Sequence, residues 1–361
     1  MKSPLWQGPA LALGAAALFG ISAPLGKLLL EQMSPLWLAG LLSMGSGGGL
    51  GLWMLVRRLL RHGSPKETPL RRPDLPWLAG SLLFGGFAAP ILLALGLAHT
   101  PAASASLLLN LEGVCTALIA WFVFGEHFDQ RIFLGMCAIL AGAALLSWEG
   151  QQVPGIPWSA LGIAGACLCW AIDNNLTRRI SSADPVQITT LKGLCAGLVN
   201  VLLAILGSPA PPATSALLQG LALGWVSYGL SLVCFVLALR HLGTSRTGAY
   251  FSVAPFLGTA LSLLIEWQLP PPLFWGAAAL MGVGVWLHLF EKHDHFHRHE
   301  ALEHSHAHVH DLHHQHAHSP SDPPGEPHTH WHRHEPMEHS HPHFPDIHHQ
   351  HSHGPDDLTP P

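Results

Sequence analysis

Charge is what this sequence lacks most. Only 11% of its 361 residues are Asp, Glu, Lys or Arg, about half the share of an ordinary soluble domain, while 49% are apolar. That deficit argues against a water-soluble enzyme as the bulk of the chain. Catalytic signatures are missing as well. No nucleophile triad, HExxH or dinucleotide fingerprint stands in a suitable context, so no enzyme activity is expected. The six cysteines (Cys115, Cys137, Cys167, Cys169, Cys195, Cys234) all fall in apolar runs and imply no disulfide framework. Cys167 and Cys169, two apart on a helix, share no face and make a poor metal pair. No cleavable leader is expected at Met1 to Ala10, because the first apolar stretch continues as a full span.

Histidine is in excess. The chain has 28, of which 23 lie between His293 and His353. Residues 1–292 carry 15 Lys/Arg against 11 Asp/Glu, formally +4, and residues 293–361 carry 2 against 11, formally −9. The modest net charge of −5 thus joins two different polymers.

A membrane-spanning helix needs roughly 20 mostly apolar residues. Such runs recur at about 9–30, 35–56, 76–97, 102–124, 131–148, 157–177, 187–207, 217–239, 247–266 and 272–290. Ten of them leave no room for a sizeable aqueous domain, so the expected fold is an all-α integral membrane protein of ten spans. The basic residues follow the same count. All 13 Lys/Arg outside the spans, Arg57, Arg58, Arg178, Arg179 and Arg240 among them, fall on alternate loops of one side. The positive-inside rule then puts both termini in the cytoplasm of a multi-pass inner-membrane protein.

The body reads as built twice. Phe133–Gly142 echoes Phe274–Gly282 at an offset of 141, His99–Val114 aligns with His241–Phe256 at 142, and Ser34-Pro35 aligns with Asp184-Pro185 at 150. Each half, 1–150 and 151–292, holds five spans. An odd number makes the second half enter from the opposite side, an inverted repeat of the kind secondary transporters use.

The stretch Ser104-Ala-Ser-Leu-Leu-Leu-Asn-Leu-Glu112, running to Phe124-Gly-Glu126, resembles the fourth-span motif of the EamA branch of the drug/metabolite transporter superfamily. Cys169-Trp170 and Ala254-Pro255 are similar to the second EamA repeat, and the resemblance covers residues 1–290. It implies a multi-pass secondary carrier, commonly an exporter of small metabolites or amino acids. Gly113 stands where the family often has Pro after the acidic residue. The basic residue often found early in the second span of each repeat is present as Lys192 but replaced by Leu42 in the first half.

Charge and polarity inside a span are costly and mark candidate sites. These are Lys27, Glu112 with its neighbour Asn110, Asp173 with Asn174, and Lys192. Glu112 could carry a proton by changing ionisation on each cycle, or form a structural ion pair with Lys27 or Lys192. Asp173-Asn174-Asn175 could line a cation or substrate path, or mark the polar end of the sixth span. Glu266 lies near a span end and reads as interfacial. Gly45, Gly47, Gly48, Gly49 and Gly51 lack the following Lys-Ser/Thr of a phosphate loop; small residues four apart instead permit close helix packing. Pro24, Pro90 and Pro255 lie within spans and should kink them.

The tail, 293–361, cannot bury a core and is expected to be disordered. Its histidines nevertheless repeat. His295-Phe-His-Arg-His-Glu-Ala-Leu-Glu-His-Ser-His306 recurs as His330–His341, and Asp311-Leu-His-His-Gln-His-Ala-His318 as Asp346–His353, both at an offset of 35. His-x-His spacing suits a borderline divalent metal, Ni²⁺, Co²⁺, Zn²⁺ or Cu²⁺. The candidate ligands are His295, His297, His299, His304, His306, His308, His313, His314, His316 and His318, with His330, His332, His334, His339, His341, His343, His348, His349, His351 and His353 in the second copy. Without paired cysteines, no zinc-finger geometry is expected.

Together these features suggest a secondary transporter that exports a divalent transition metal gathered by a cytosolic tail and coupled to protons. The alternative is an EamA-type exporter of an amino acid or other metabolite, with a regulatory or buffering tail. A third reading is a membrane-anchored metal store that transports nothing. The expected partners are the lipid bilayer, the metal or small-molecule substrate and a second copy as a homodimer, with no nucleic acid and no required cofactor beyond tail-bound metal.

Overall fold

The computed structural model describes residues 7–60, 69–124, 130–148, 158–207, 210–267 and 269–289, with four short segments of the tail. Within them helical rods follow the apolar runs. Seven are long and apolar enough to cross a bilayer: α1 (Gln7–Leu29), α2 (Pro35–Leu60), α3 (Arg72–Ala98), α4 (Ala102–Val123), α7 (Pro185–Gly207), α8 (Thr214–Leu242) and α9 (Thr247–Glu266). Three more, α5 (Gln130–Trp148), α6 (Trp158–Ile180) and α10 (Pro272–Leu289), complete the series. α5 and α10 hold shorter apolar stretches, 133–146 and 272–287. α6 is diluted by Asp173, Arg178 and Arg179.

The bundle is apolar on the outside. Leu55, Phe122, Leu202, Leu206, Val283 and Trp286 are exposed, while Ser43, Ser46, Ser81, Thr189, Thr190 and Asn200 are buried. Lipid tails are as apolar as Leu, so a bilayer rewards this distribution where water would penalise it. Small residues then set how closely rods approach. α2 lies against α7 so tightly that a Cβ on Gly47 would overlap the backbone of Gly193 and Leu194, and one on Gly193 would overlap Gly47. Of the glycine pairs expected to aid packing, Gly45 and Gly49 are likewise crowded, against Leu221 and the Trp225 ring, whereas Gly51 makes only ordinary contact; Gly48, outside both pairs, faces open space.

Contacts between rods follow a two-fold pattern. α2 packs on α7, α4 on α9 and α5 on α10, and the α1–α8 contact is matched by one between α6 and α3. Irregular turns are matched too. A π-helical turn at Leu82–Ala88 in α3 recurs at Gly224–Leu230 in α8, an offset of 142. α4 breaks at Leu109-Asn110, and the chain breaks again at Ser252-Val253 in α9, one residue beyond the same offset. The three intraspan prolines share one position. Pro24, Pro90 and Pro255 each stand within the first three residues of a helical segment that follows such a break (Ser22–Leu29, Ala89–Ala98 and Ala254–Glu266), positions where a missing N–H costs least.

Four segments of the tail are extended: β1 (Asp294–His299), β2 (Leu302–His308), β3 (His328–His334) and β4 (Met337–Pro342). β1 pairs antiparallel with β4, and β2 with β3. The His-x-His alternation has the period of two that a strand requires.

Candidate substrate site

The interior between α3, α6 and α7 holds a buried polar cluster. Asp173 extends from α6, where Lys192 of α7 donates from Nζ to both carboxylate oxygens, at 2.7 and 2.8 Å. Ser81 of α3 and Thr177, one turn along α6, donate to Asp173 Oδ1. The side chains of Lys192 and Asp173 are 4% and 6% exposed, so the pair is withdrawn from solvent and satisfied by fixed donors. The π turn of α3 makes room for it. A Cβ at Gly85 would overlap the Asp173 carboxylate, so only glycine fits there. π-helical turns of this kind often mark functional sites.

A second carboxylate stands nearby. Glu112 lies in the first turn of Leu111–Phe124, the segment that follows the α4 break, where the helix dipole favours negative charge. Its Oε1 accepts from Asn174 Nδ2 at 2.7 Å. Asp173, Asn174, Lys192 and Glu112 all line one cavity, with Ser43, Ser46, Gly85, Gly86 and Pro90. Aromatic rings line the same cavity. Phe19 touches Trp170, Tyr228 and Phe251 at centroid distances of 5.4, 5.7 and 5.3 Å. The cavity measures about 80 Å³, room for a small polar group and too little for a drug-sized molecule.

Six side chains were candidates, and the fold brings four of them together. Lys27 is elsewhere: its Nζ donates to the carbonyls of Leu97 and Ala98, at 2.9 and 3.0 Å, capping the C-terminal end of α3. Asn110 sits at the α4 break, its Nδ2 bonded to Leu107 O at 3.0 Å, and does not line the cavity. Of the two readings of Glu112, the ion pair with Lys27 or Lys192 does not form: Lys192 pairs with Asp173 and Lys27 bonds backbone carbonyls. Asp173 and Asn174 are accordingly interior wall residues and not the polar end of a span.

Sequence reasoning passed over Ser81, Thr177, Gly85 and Tyr228. Tyr228 is one of only two tyrosines in the chain, and its buried hydroxyl lines the cavity with no hydrogen-bond partner among the described residues. That scarcity was the available signal. Thr177, four residues after Asp173 on one helix face, was another.

Among the described residues no group of three or more His, Cys, Asp and Glu side chains could hold a metal. Of the tail candidates, His295, His297, His299, His304, His306, His308, His330, His332, His334, His339 and His341 lie on the strands. His313, His314, His316, His318, His343, His348, His349, His351 and His353 fall outside the described residues.

Apolar rods, broken helices and a buried polar cavity define a membrane transport protein. Comparison with known proteins gives the family: the EamA-like transporter model matches residues 6–148 and again 157–290, and the chain belongs to the EamA-like transporter family. It is similar, at 27% identity over 70% of this chain and 77% of the other, to an uncharacterized transporter of Methanothermobacter thermautotrophicus. It is 28% identical, over 60% of this chain and 75% of the other, to a probable terminal-alkyne amino-acid exporter of Streptantibioticus cattleyicolor. A solved crystal structure shares the fold at a TM-score of 0.59 and 21% identity, over 78% of this chain and 94% of its own.

Proposed function

We propose that this chain is a proton-coupled exporter of a small amino-acid-like metabolite, with the cavity around Glu112, Asp173 and Lys192 as its substrate site. In this reading all ten rods cross the inner membrane as two inverted halves, 1–150 and 151–292, with both termini in the cytoplasm. The paired rod contacts and the repeated π turns, 142 residues apart, support that division.

The observation that carries the substrate reading is the charge arrangement. Lys192 is neutralised by Asp173, which leaves Glu112 as the carboxylate bonded to a neutral partner, Asn174. A carboxylate that shares its cavity with Phe19, Trp170 and Tyr228 suits an ammonium group, through charge and the aromatic rings together. Glu112 is also the suitable proton carrier. Protonating Asp173 would strand a buried cation, whereas Glu112 loses no ionic partner on protonation. The Streptantibioticus relative is named for amino-acid export, which agrees in substrate class.

A divalent metal as cargo fits this cavity less well. Both oxygens of Asp173 are taken by Lys192, and a fixed ammonium repels a divalent cation. The tail histidines would bind metal as a buffer or regulator. Proteoliposome flux of an amino-acid panel tests the reading: transport of at least one amino acid, lost in Glu112→Gln, supports it. Flux of Ni²⁺ or Zn²⁺ with no amino-acid flux overturns it.

A further inference from the structure

A hydroxyl buried in an apolar interior has to find a partner, because leaving it bare costs more than a hydrogen bond returns. Three hydroxyls that line the cavity do so on backbone carbonyls. Thr189 donates to Pro185 O at 2.8 Å, Ser227 to Leu223 O at 2.7 Å, and Ser231 to Ala15 O of α1 at 2.8 Å. Tyr228 is the exception. Its hydroxyl oxygen is buried and has no hydrogen-bond partner among the described residues.

The fold nevertheless fixes where that hydroxyl sits. Tyr228 belongs to the π turn Gly224–Leu230 of α8, and this turn is pressed against α2. A Cβ on Gly224 would overlap the backbone of Leu42, and one on Gly229 would come within 3.3 Å of Ser46 Cα. The tyrosine ring packs against Phe19 and meets Trp170 edge-on, at centroid distances of 5.7 and 6.4 Å. A side chain held this way gives up little further entropy when it binds. The matched place in the first half, 142 residues earlier, is Gly86 in the π turn of α3, which lines the same cavity. The repeat is broken here as it is at Leu42 and Lys192, and both times the second half carries the polar side chain.

One face of α6 relates this hydroxyl to Glu112. Trp170 meets Tyr228, and Asn174, one turn further on, bonds Glu112. The two contacts are thus offset by about 6 Å along the helix. A ligand joining them needs a cationic end for Glu112 and an acceptor end for the tyrosyl hydrogen. In an α-amino acid the ammonium nitrogen and the carboxylate oxygens are about 3 Å apart by covalent geometry. A hydrogen bond of about 2.8 Å at each end extends that reach past the offset.

We propose that Tyr228 is a specificity-determining residue of the cavity, its hydroxyl donating to the carboxylate of a small α-amino acid whose ammonium group rests on Glu112. This deepens the exporter reading above and rests on it. Tyr228 is suited to the carboxylate because the other donors are engaged: Lys192 is held by both oxygens of Asp173, and Asn174 is turned to Glu112. The volume of about 80 Å³ restricts the substrate to a small side chain such as the methyl group of alanine.

Counterflow in proteoliposomes of the full chain tests this, with L-alanine as substrate and ethylamine, the same amine without the carboxylate, as competitor. Tyr228→Phe keeps the ring and removes the hydroxyl. The KM for L-alanine should rise about tenfold, as for the loss of one hydrogen bond to a charged group, while the inhibition constant of ethylamine stays unchanged. The unfolding midpoint of Tyr228→Phe should not fall, since the hydroxyl has no partner in the protein to lose. An unchanged KM for L-alanine overturns the inference, and so does equal weakening of L-alanine and ethylamine, which would assign Tyr228 to ring packing alone. Flux of larger amino acids without L-alanine overturns the inference and leaves the exporter reading standing. Absence of any amino-acid flux in wild type overturns both.

Discussion

Asp173 and Lys192 are 19 residues apart on neighbouring helices and meet through two hydrogen bonds of 2.7 and 2.8 Å inside the bundle. Breaking a buried pair from one side leaves a bare charge, at a cost of about 3–5 kcal/mol. Asp173→Asn and Lys192→Met should each lower the thermal unfolding midpoint sharply. The double variant Asp173→Asn/Lys192→Met removes both charges and should recover most of that stability. Transport stays absent in all three, measured by flux in proteoliposomes.

Gly85 is where backbone shape and chemistry meet. A methyl group there overlaps the Asp173 carboxylate, and overpacking of this kind costs about 1–3 kcal/mol. Gly85→Ala should reduce flux at least about tenfold, the equivalent of 1.4 kcal/mol. Gly48→Ala, facing open space, should leave flux unchanged.

Lys27 tests a structural role assigned by geometry. Lys27→Met frees the carbonyls of Leu97 and Ala98 and should cost about 1 kcal/mol of stability through the lost cap and dipole interaction. The substrate Kd, measured by calorimetry, should not change, since Lys27 does not line the cavity.

Metal binding by the tail should depend on pH. Neutral imidazole is the ligand, with an ordinary pKa of about 6.5, so protons compete with metal as pH falls. Ni²⁺ affinity of the full chain should drop steeply between pH 7.5 and 5.5, by about tenfold or more. An unchanged affinity would assign binding to groups other than histidine.

Much of this was legible in the sequence because apolar run length is a one-dimensional signal. Each run expected to span coincides with a rod, and Pro24, Pro90 and Pro255 open segments after the breaks. Glu112 and Lys192 stood out because charge within such runs is rare. What stayed hidden depends on helix rotation. The partner of Lys192 is fixed by which faces of α6 and α7 meet, and no spacing reveals it. Lys27 looked like a site residue, since a capping lysine and a substrate lysine are identical in one dimension. The π turns at Leu82–Ala88 and Gly224–Leu230 left no compositional mark, being changes in hydrogen-bond register alone.

The most direct measurement is amino-acid efflux from proteoliposomes under an imposed proton gradient, for wild type and Glu112→Gln. Wild type should move an amine-bearing substrate faster as the gradient steepens. Glu112→Gln should lose both the flux and its response to the gradient. Undiminished, gradient-dependent flux in Glu112→Gln would contradict the account, because the Glu112 carboxylate in the aromatic-lined cavity would then be neither the substrate's partner nor the proton's carrier.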